Sequence, residues 1–137
     1  MKNVYKITIS LFVLFFSICL SAQSTSPEKI VEKNLKAYNN RDIDGFMASF
    51  TSDIALYNLG DSKPSISGFE AIKTFYKKIF DASPKLHSII LKRIVFDNKV
   101  IDHERIAGRV GSDKPVEIVI IYELKGNKIA KLTAIRK

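Results

Sequence analysis

Val100–Val110 (VIDHERIAGRV) gathers the side chains of this chain best suited to acid–base and anion-binding chemistry. Read as a strand, its alternation puts Ile101, His103, Arg105 and Ala107 on one face. Asp102, Glu104, Ile106 and Gly108 fall on the other. Histidine as a residue type can take up or release a proton near neutral pH, so His103 is a candidate general acid or base. Arg105 is a fixed cation that can bind a carboxylate or steady an enolate. Apolar neighbours beside an imidazole and a cation are what a small-molecule cavity needs, so His103 and Arg105 are the candidate catalytic residues. The bland alternatives are a hydrogen-bonded histidine and a salt-bridged arginine. They differ in whether the partner belongs to the protein or to a ligand.

Asp102-His103-Glu104 does not make a metal site. Alternation turns His103 away from both acids, and a site needs three or four converging ligands. The few glycines form no phosphate-binding loop, and no Ser/His/acid order suggests a hydrolase. No metal and no other cofactor is expected. Tyr38, Tyr57 and Tyr122 bring hydroxyls to apolar surroundings and are candidate ligand contacts, with a core role as the alternative. His87 depends on register. A three-residue turn at Asp97–Lys99 pairs Arg93 with His103 and puts His87 on the His103 face, whereas a two-residue turn reverses it.

The elements that hold these residues follow from the chain in order. Met1–Ala22 has a basic start (Lys2, Lys6), an apolar run from Ile7 to Leu20 and a small-residue end, which is the pattern of a secretory signal peptide. The run is short for a bilayer span. Cleavage near Ala22-Gln23 removes the one cysteine, Cys19, and leaves a domain of residues 23–137 without thiol chemistry. Ser17-Ile18 is a poor lipidation context for Cys19. The protein is expected to be exported, periplasmic or secreted, with no membrane contact after cleavage. The charge of +8 falls to +6 with the loss of Lys2 and Lys6. The remaining cations are dispersed, and the C-terminal group (Lys125, Lys128, Lys131, Arg136, Lys137) lacks interleaved aromatics, so no nucleic-acid partner is expected.

Ser26-Pro27 starts a helix whose apolar positions are Val31, Leu35 and Tyr38. Asp42 caps a second helix carrying Ile43, Phe46, Met47 and Phe50. Ile54–Leu59 is a strand. Ser67-Gly68-Phe69-Glu70 fits a capping box before a third helix with Phe69, Ile72, Phe75, Tyr76 and Ile79 on one face. His87–Phe96, Val100–Val110, Val116–Leu124 and Lys128–Arg136 then read as four strands in a meander. The fold class is α+β, three N-terminal helices packed on the concave face of a curved antiparallel sheet.

Four stretches carry a family resemblance: VEKNLKAYNNRDIDGFMASFTSDIALYNL, SGFEAIKTFYKKIF, VIDHERIAGRV and VEIVIIYELKGNKIAKL. Together they resemble the nuclear transport factor 2-like superfamily in its SnoaL-like branch, an α+β cone. The superfamily includes ketosteroid isomerases, polyketide cyclases, dehydratases and non-catalytic binding or dimerising domains. The resemblance implies that Ile101, His103 and Arg105 face the cavity and that two copies pair through the sheet. Ungapped alignment with the isomerases puts Asn34 at the oxyanion tyrosine, Asn58 at the base and Ile120 at the second acid. None can take over the role, so ketosteroid isomerisation by that mechanism is not expected. Tyr57 is next to Asn58, within one residue of the base position.

Three functions follow. The first is a cone that binds a small, mostly apolar molecule, with an anionic group allowed, through Tyr38, Tyr57, His87, Ile101, His103, Arg105, Ile120 and Tyr122. The second is a lyase, isomerase or cyclase in which His103 transfers a proton beside a carbonyl and Arg105 or a tyrosine holds the oxyanion. The third is a homodimerising interaction module. A cone plugged by Phe and Tyr favours the third, and an open one favours the others.

Overall fold

A computed structural model describes residues 25–136. The signal-peptide reading of residues 1–22, its cleavage site and Cys19 lie outside the described residues. Ser26 caps α1 (Pro27–Asn40), accepting from the Lys29 amide at 3.4 Å, with proline in the first turn. Arg41, at φ 55, closes α1 in the left-handed conformation. Asp42 caps the short α2 (Ile43–Met47) through the Gly45 amide at 2.9 Å. The chain then extends as β1 (Phe50–Asn58), four residues earlier than its apolar alternation signals.

The capping box at Ser67 does not form. Ser67 is committed to a two-residue strand, β2 (Ile66–Ser67), where it pairs with Ala55. Gly68 becomes the N-cap of α3 (Phe69–Ala82), with no side-chain cap. β3 (His87–Phe96), β4 (Lys99–Ala107), β5 (Val116–Lys125) and β6 (Lys128–Arg136) complete the chain.

The six strands lie in the order β2-β1-β6-β5-β4-β3. β3 to β6 form the antiparallel meander, and β1 joins β6 in parallel. The sheet curves over the helices. Val31, Phe46, Ile72 and Phe80 from the helices meet Ile54, Val100, Ile106, Tyr122 and Leu132 from its inner face. Among the described residues no helix is long and apolar enough to cross a membrane.

One register detail decides which side chains face inward. The β3–β4 turn has two residues, Asp97 and Asn98, not three, and pairs Phe96 with Lys99. That phase puts Arg93 opposite Asp102. A bulge between Ile90 and Lys92 then shifts the pairing by one, so Ser88 opposes Ile106 and His87 opposes Ala107. His87 thus returns to the His103 side of the sheet despite the shorter turn.

Candidate functional site

That side is the outer, convex one. Val100, Asp102, Glu104 and Ile106 of β4 are buried against the helices, whereas Ile101, His103 and Arg105 point away from them. The placement of His103, Arg105 and Ile101 in the cone is therefore corrected. Each face of β4 carries two apolar residues, so hydrophobicity did not choose between them. The choice falls to the acids, which find buried partners on neighbouring elements. On the outer face His103 Nε2 lies 3.0 Å from Glu117 Oε2, and Arg105 donates to Glu117 Oε1 at 2.8 and 3.2 Å. Arg105 thus has a protein partner, and Glu117 is held below the usual carboxylate range by Arg105 first and His103 second. His87 is exposed, and Tyr57 lies on the outer face under the Lys131 ammonium, 5.0 Å from the ring centroid.

The inner face holds a different constellation. Tyr38 from α1, Tyr76 from α3 and Ile120 and Tyr122 from β5 line a cavity between helices and sheet. Of the expected ligand contacts, the structure brings Tyr38, Ile120 and Tyr122 together there. Of the isomerase-aligned positions, Asn34 lines the cavity, but its amide is engaged by the Phe46 carbonyl at 3.0 Å. Asn58 accepts from Arg136 and donates to Asp61. The cavity is narrow, about 50 Å³, because Tyr38, Phe46 and Tyr76 crowd its helical side, with the Phe46 and Tyr76 rings 4.6 Å apart. Such a space takes roughly three or four water-sized groups. At its mouth the same Ile106, Arg109, Ile118 and Arg136 also border a wider groove of about 650 Å³ along Val110–Ser112 and Pro115–Glu117. Arg109 and Arg136 are the charged residues that border both spaces.

Glu104 lies at the floor of the cone. Ser88 Oγ donates to its Oε2 at 2.7 Å and Tyr122 Oη to its Oε1 at 2.8 Å. Burial pushes its carboxyl above the usual range, although both hydrogen bonds oppose that rise. Burial also raises Tyr122, and lifts Tyr76 to about 12. For Tyr76 the Glu104 charge adds to the rise, while Arg109 and Arg136 offset part of it. Tyr38 is likewise raised by burial, with Arg109 opposing.

A raised carboxyl means that the native state prefers neutral Glu104. The stability this confers is full below about pH 4, under the unfolded carboxylate range, and is lost as pH rises through the native value. Glu104→Gln stays neutral and can still accept from Tyr122. Urea unfolding is expected to show the variant gaining on the wild type between pH 4 and pH 8. A difference that does not change with pH contradicts this.

Sequence reasoning missed Glu104, Arg109, Arg136 and Tyr76. The signal for Glu104 was its position between Val100 and Ile106 on one strand face. The signal for Arg109 was Gly108, which ends that face. Among the described residues no group of three or more His, Cys, Asp or Glu converges as a metal site.

Comparison with curated proteins returns no match. Several solved structures share the fold. An uncharacterised cystatin-fold protein of Novosphingobium aromaticivorans is 22% identical with a TM-score of 0.74, covering 82% of this chain and 99% of its own. A computationally designed 17-OHP binder is 16% identical with a TM-score of 0.71, covering 82% and 92%. A protein of ketosteroid isomerase-like fold from Catenulispora acidiphila, solved with trimethylamine, is 18% identical with a TM-score of 0.64, covering 80% and 85%. At these identities the likeness concerns the fold. In sequence, the SnoaL-like domain model matches residues 31–132. With three helices, a curved six-stranded sheet and a family match over most of its length, the chain belongs to the SnoaL-like domain family of the nuclear transport factor 2-like superfamily.

Proposed function

We propose that this is an exported SnoaL-like protein whose cone takes up one small, mostly apolar molecule. The observation that carries the reading is that the inner cavity, narrowed but not filled by Tyr38, Phe46 and Tyr76, shares Ile106, Arg109, Ile118 and Arg136 with the outer groove, so that these side chains are where a ligand would enter. The designed 17-OHP binder of the same fold supports the capacity of such a cone for a ligand. Export rests on the basic start and apolar run of residues 1–22.

A second reading, acid–base catalysis, moves from His103 to Glu104. Glu104 is a buried carboxyl facing the cavity, with its ionisation shifted by burial. It is the position where a proton could be passed to or from a bound carbonyl compound. Neither His103 nor Glu117 lines the inner cavity.

The test is thermal unfolding of the purified protein against a panel of small ketones, acids and amides, repeated on Ile120→Phe, which narrows the cavity. A ligand at about 100 times its dissociation constant adds roughly 2.7 kcal/mol and raises the midpoint by several degrees. Shifts that vanish in Ile120→Phe support the reading. Shifts of equal size in both proteins place the ligand elsewhere and overturn it.

A further inference from the structure

Arg109 follows Gly108 at the end of β4 and stands half-buried where the cavity opens into the groove. Its backbone is fixed on both sides. Gly108 passes hard against the Lys85 carbonyl, and the Val110 amide donates to buried Ser83 Oγ at 3.0 Å. The Arg109 carbonyl also accepts from the Ser112 amide at 3.1 Å. Yet among the described residues its guanidinium makes no ion pair and no side-chain hydrogen bond. Other arginines of this fold are engaged: Arg93 by Asp102, Arg105 by Glu117, Arg136 by Asn58. A partly buried cation on a rigid backbone, with no ion pair of its own although Glu117 borders the same groove, is a site prepared for an anion.

The rest of the cavity narrows the anion's chemistry. Tyr38 and Tyr76 line the same cavity as Arg109, and their hydroxyls make no side-chain hydrogen bond among the described residues. They add neutral donors to the cavity that Arg109 borders. Glu104 at the floor is already satisfied by Ser88 and Tyr122 and offers no cation to a negative group deep in the cone. The walls between are apolar: Leu56, Ile79, Ile118, Ile120 and Leu132. Arg136 borders the same mouth, but its guanidinium is already held by Asn58, so one unengaged planar cation and a short apolar inner space are matched to a single carboxylate.

Resting on the cavity reading above, we propose that the ligand is a monocarboxylate. Arg109 holds its head at the cavity mouth. A short apolar group, of a size the inner cavity can take, points inward toward Tyr122, and any larger substituent lies in the groove along Val110–Ser112.

The experiment is calorimetric titration at low salt with three probes: butyrate, its neutral analogue butyramide, and inorganic phosphate. Each is run on the wild type, Arg109→Gln and Arg109→Lys. Because the Arg109 side chain holds no other residue, the variants are expected to unfold at the wild-type midpoint. Butyrate is expected to bind the wild type about tenfold or more tighter than butyramide, to lose that advantage in Arg109→Gln and to recover part of it in Arg109→Lys. Equal affinity for butyrate and butyramide, unchanged in Arg109→Gln, overturns the carboxylate site and leaves the cavity reading standing. Phosphate binding that depends on Arg109, without butyrate binding, replaces the carboxylate with another anion. No binding by any probe overturns the carboxylate inference, while shifts with other members of the thermal panel still decide the cavity reading separately.

Discussion

Arg93→Ala is expected to lower the unfolding free energy by about 3–5 kcal/mol, the range for removing one partner of a buried ion pair. Arg93 and Asp102 stand directly opposite across β3 and β4. Nε and Nη2 donate to the two carboxylate oxygens, both at 2.7 Å, in a bidentate fork. The Asp102 side chain is 0% exposed, whereas that of Arg93 is 13% exposed and reaches Glu32 at 3.4 Å and Glu28 at 3.9 Å on α1. The two truncations are therefore unequal. Without Arg93, a carboxylate is stranded in the interior and α1 loses its tie to the sheet. Without Asp102, Arg93 keeps water and two acids. Asp102→Ala is expected to cost clearly less. The double replacement Arg93→Met with Asp102→Leu should recover much of the loss, because a well-filled apolar pair avoids desolvating charge altogether. Urea unfolding of the three variants checks the order. Equal costs for the two alanine variants contradict it.

Gly108→Ala is expected to cost about 3 kcal/mol and to weaken binding at the cone. Gly108 sits at φ 68, and a Cβ there runs into the Lys85 carbonyl oxygen, a backbone atom that cannot rotate away. The left-handed conformation costs a residue with a Cβ of order 1–3 kcal/mol. Forcing a group into filled space adds roughly 1–3 kcal/mol more. Gly126 in the β5–β6 turn provides the control, with a similar φ of 61 and open space where its Cβ would go. Gly126→Ala carries the conformational cost alone. The stability difference between the two variants reads the clash with Lys85. A difference in butyrate affinity reads the displacement of Arg109, which follows Gly108 directly. Equal losses in both variants would mean that the Lys85 approach holds nothing in place.

The helix starts show where sequence reading succeeds and where it stops. The helices were legible because their caps and apolar spacing are local. Ser26, Pro27 and Asp42 act within one turn of their own position, and all three do so here. The four strands of the meander were legible because β-branched runs and short turns are local too. The failed capping box at Ser67 marks the limit. The same residue also satisfies a strand ladder with Ala55, twelve positions back, and the ladder prevails.

The sequence by itself determined the three helices, the four-stranded meander, the α+β cone and the family to which the chain belongs, but not the two-residue β2 or the start of β1 at Phe50. The tertiary structure alone decided which face of Val100–Val110 looks inward, and with it the identity of the candidate site. Both faces of that strand carry apolar residues and charge, so periodicity was neutral between them. Asp102 and Glu104 could be buried only because Arg93, Ser88 and Tyr122 converge on them from β3 and β5. Those partners are 9 to 18 residues away in the chain. A two-residue turn and a bulge between Ile90 and Lys92 set the register that makes two of these meetings possible. Register is a property of paired strands, and a shift of one residue exchanges the faces. With Asp102 and Glu104 turned inward, alternation leaves His103 and Arg105 outside and bonded to Glu117, while Arg109 comes to the mouth of the cone only because β4 ends at Ala107 and Gly108 turns the chain at φ 68.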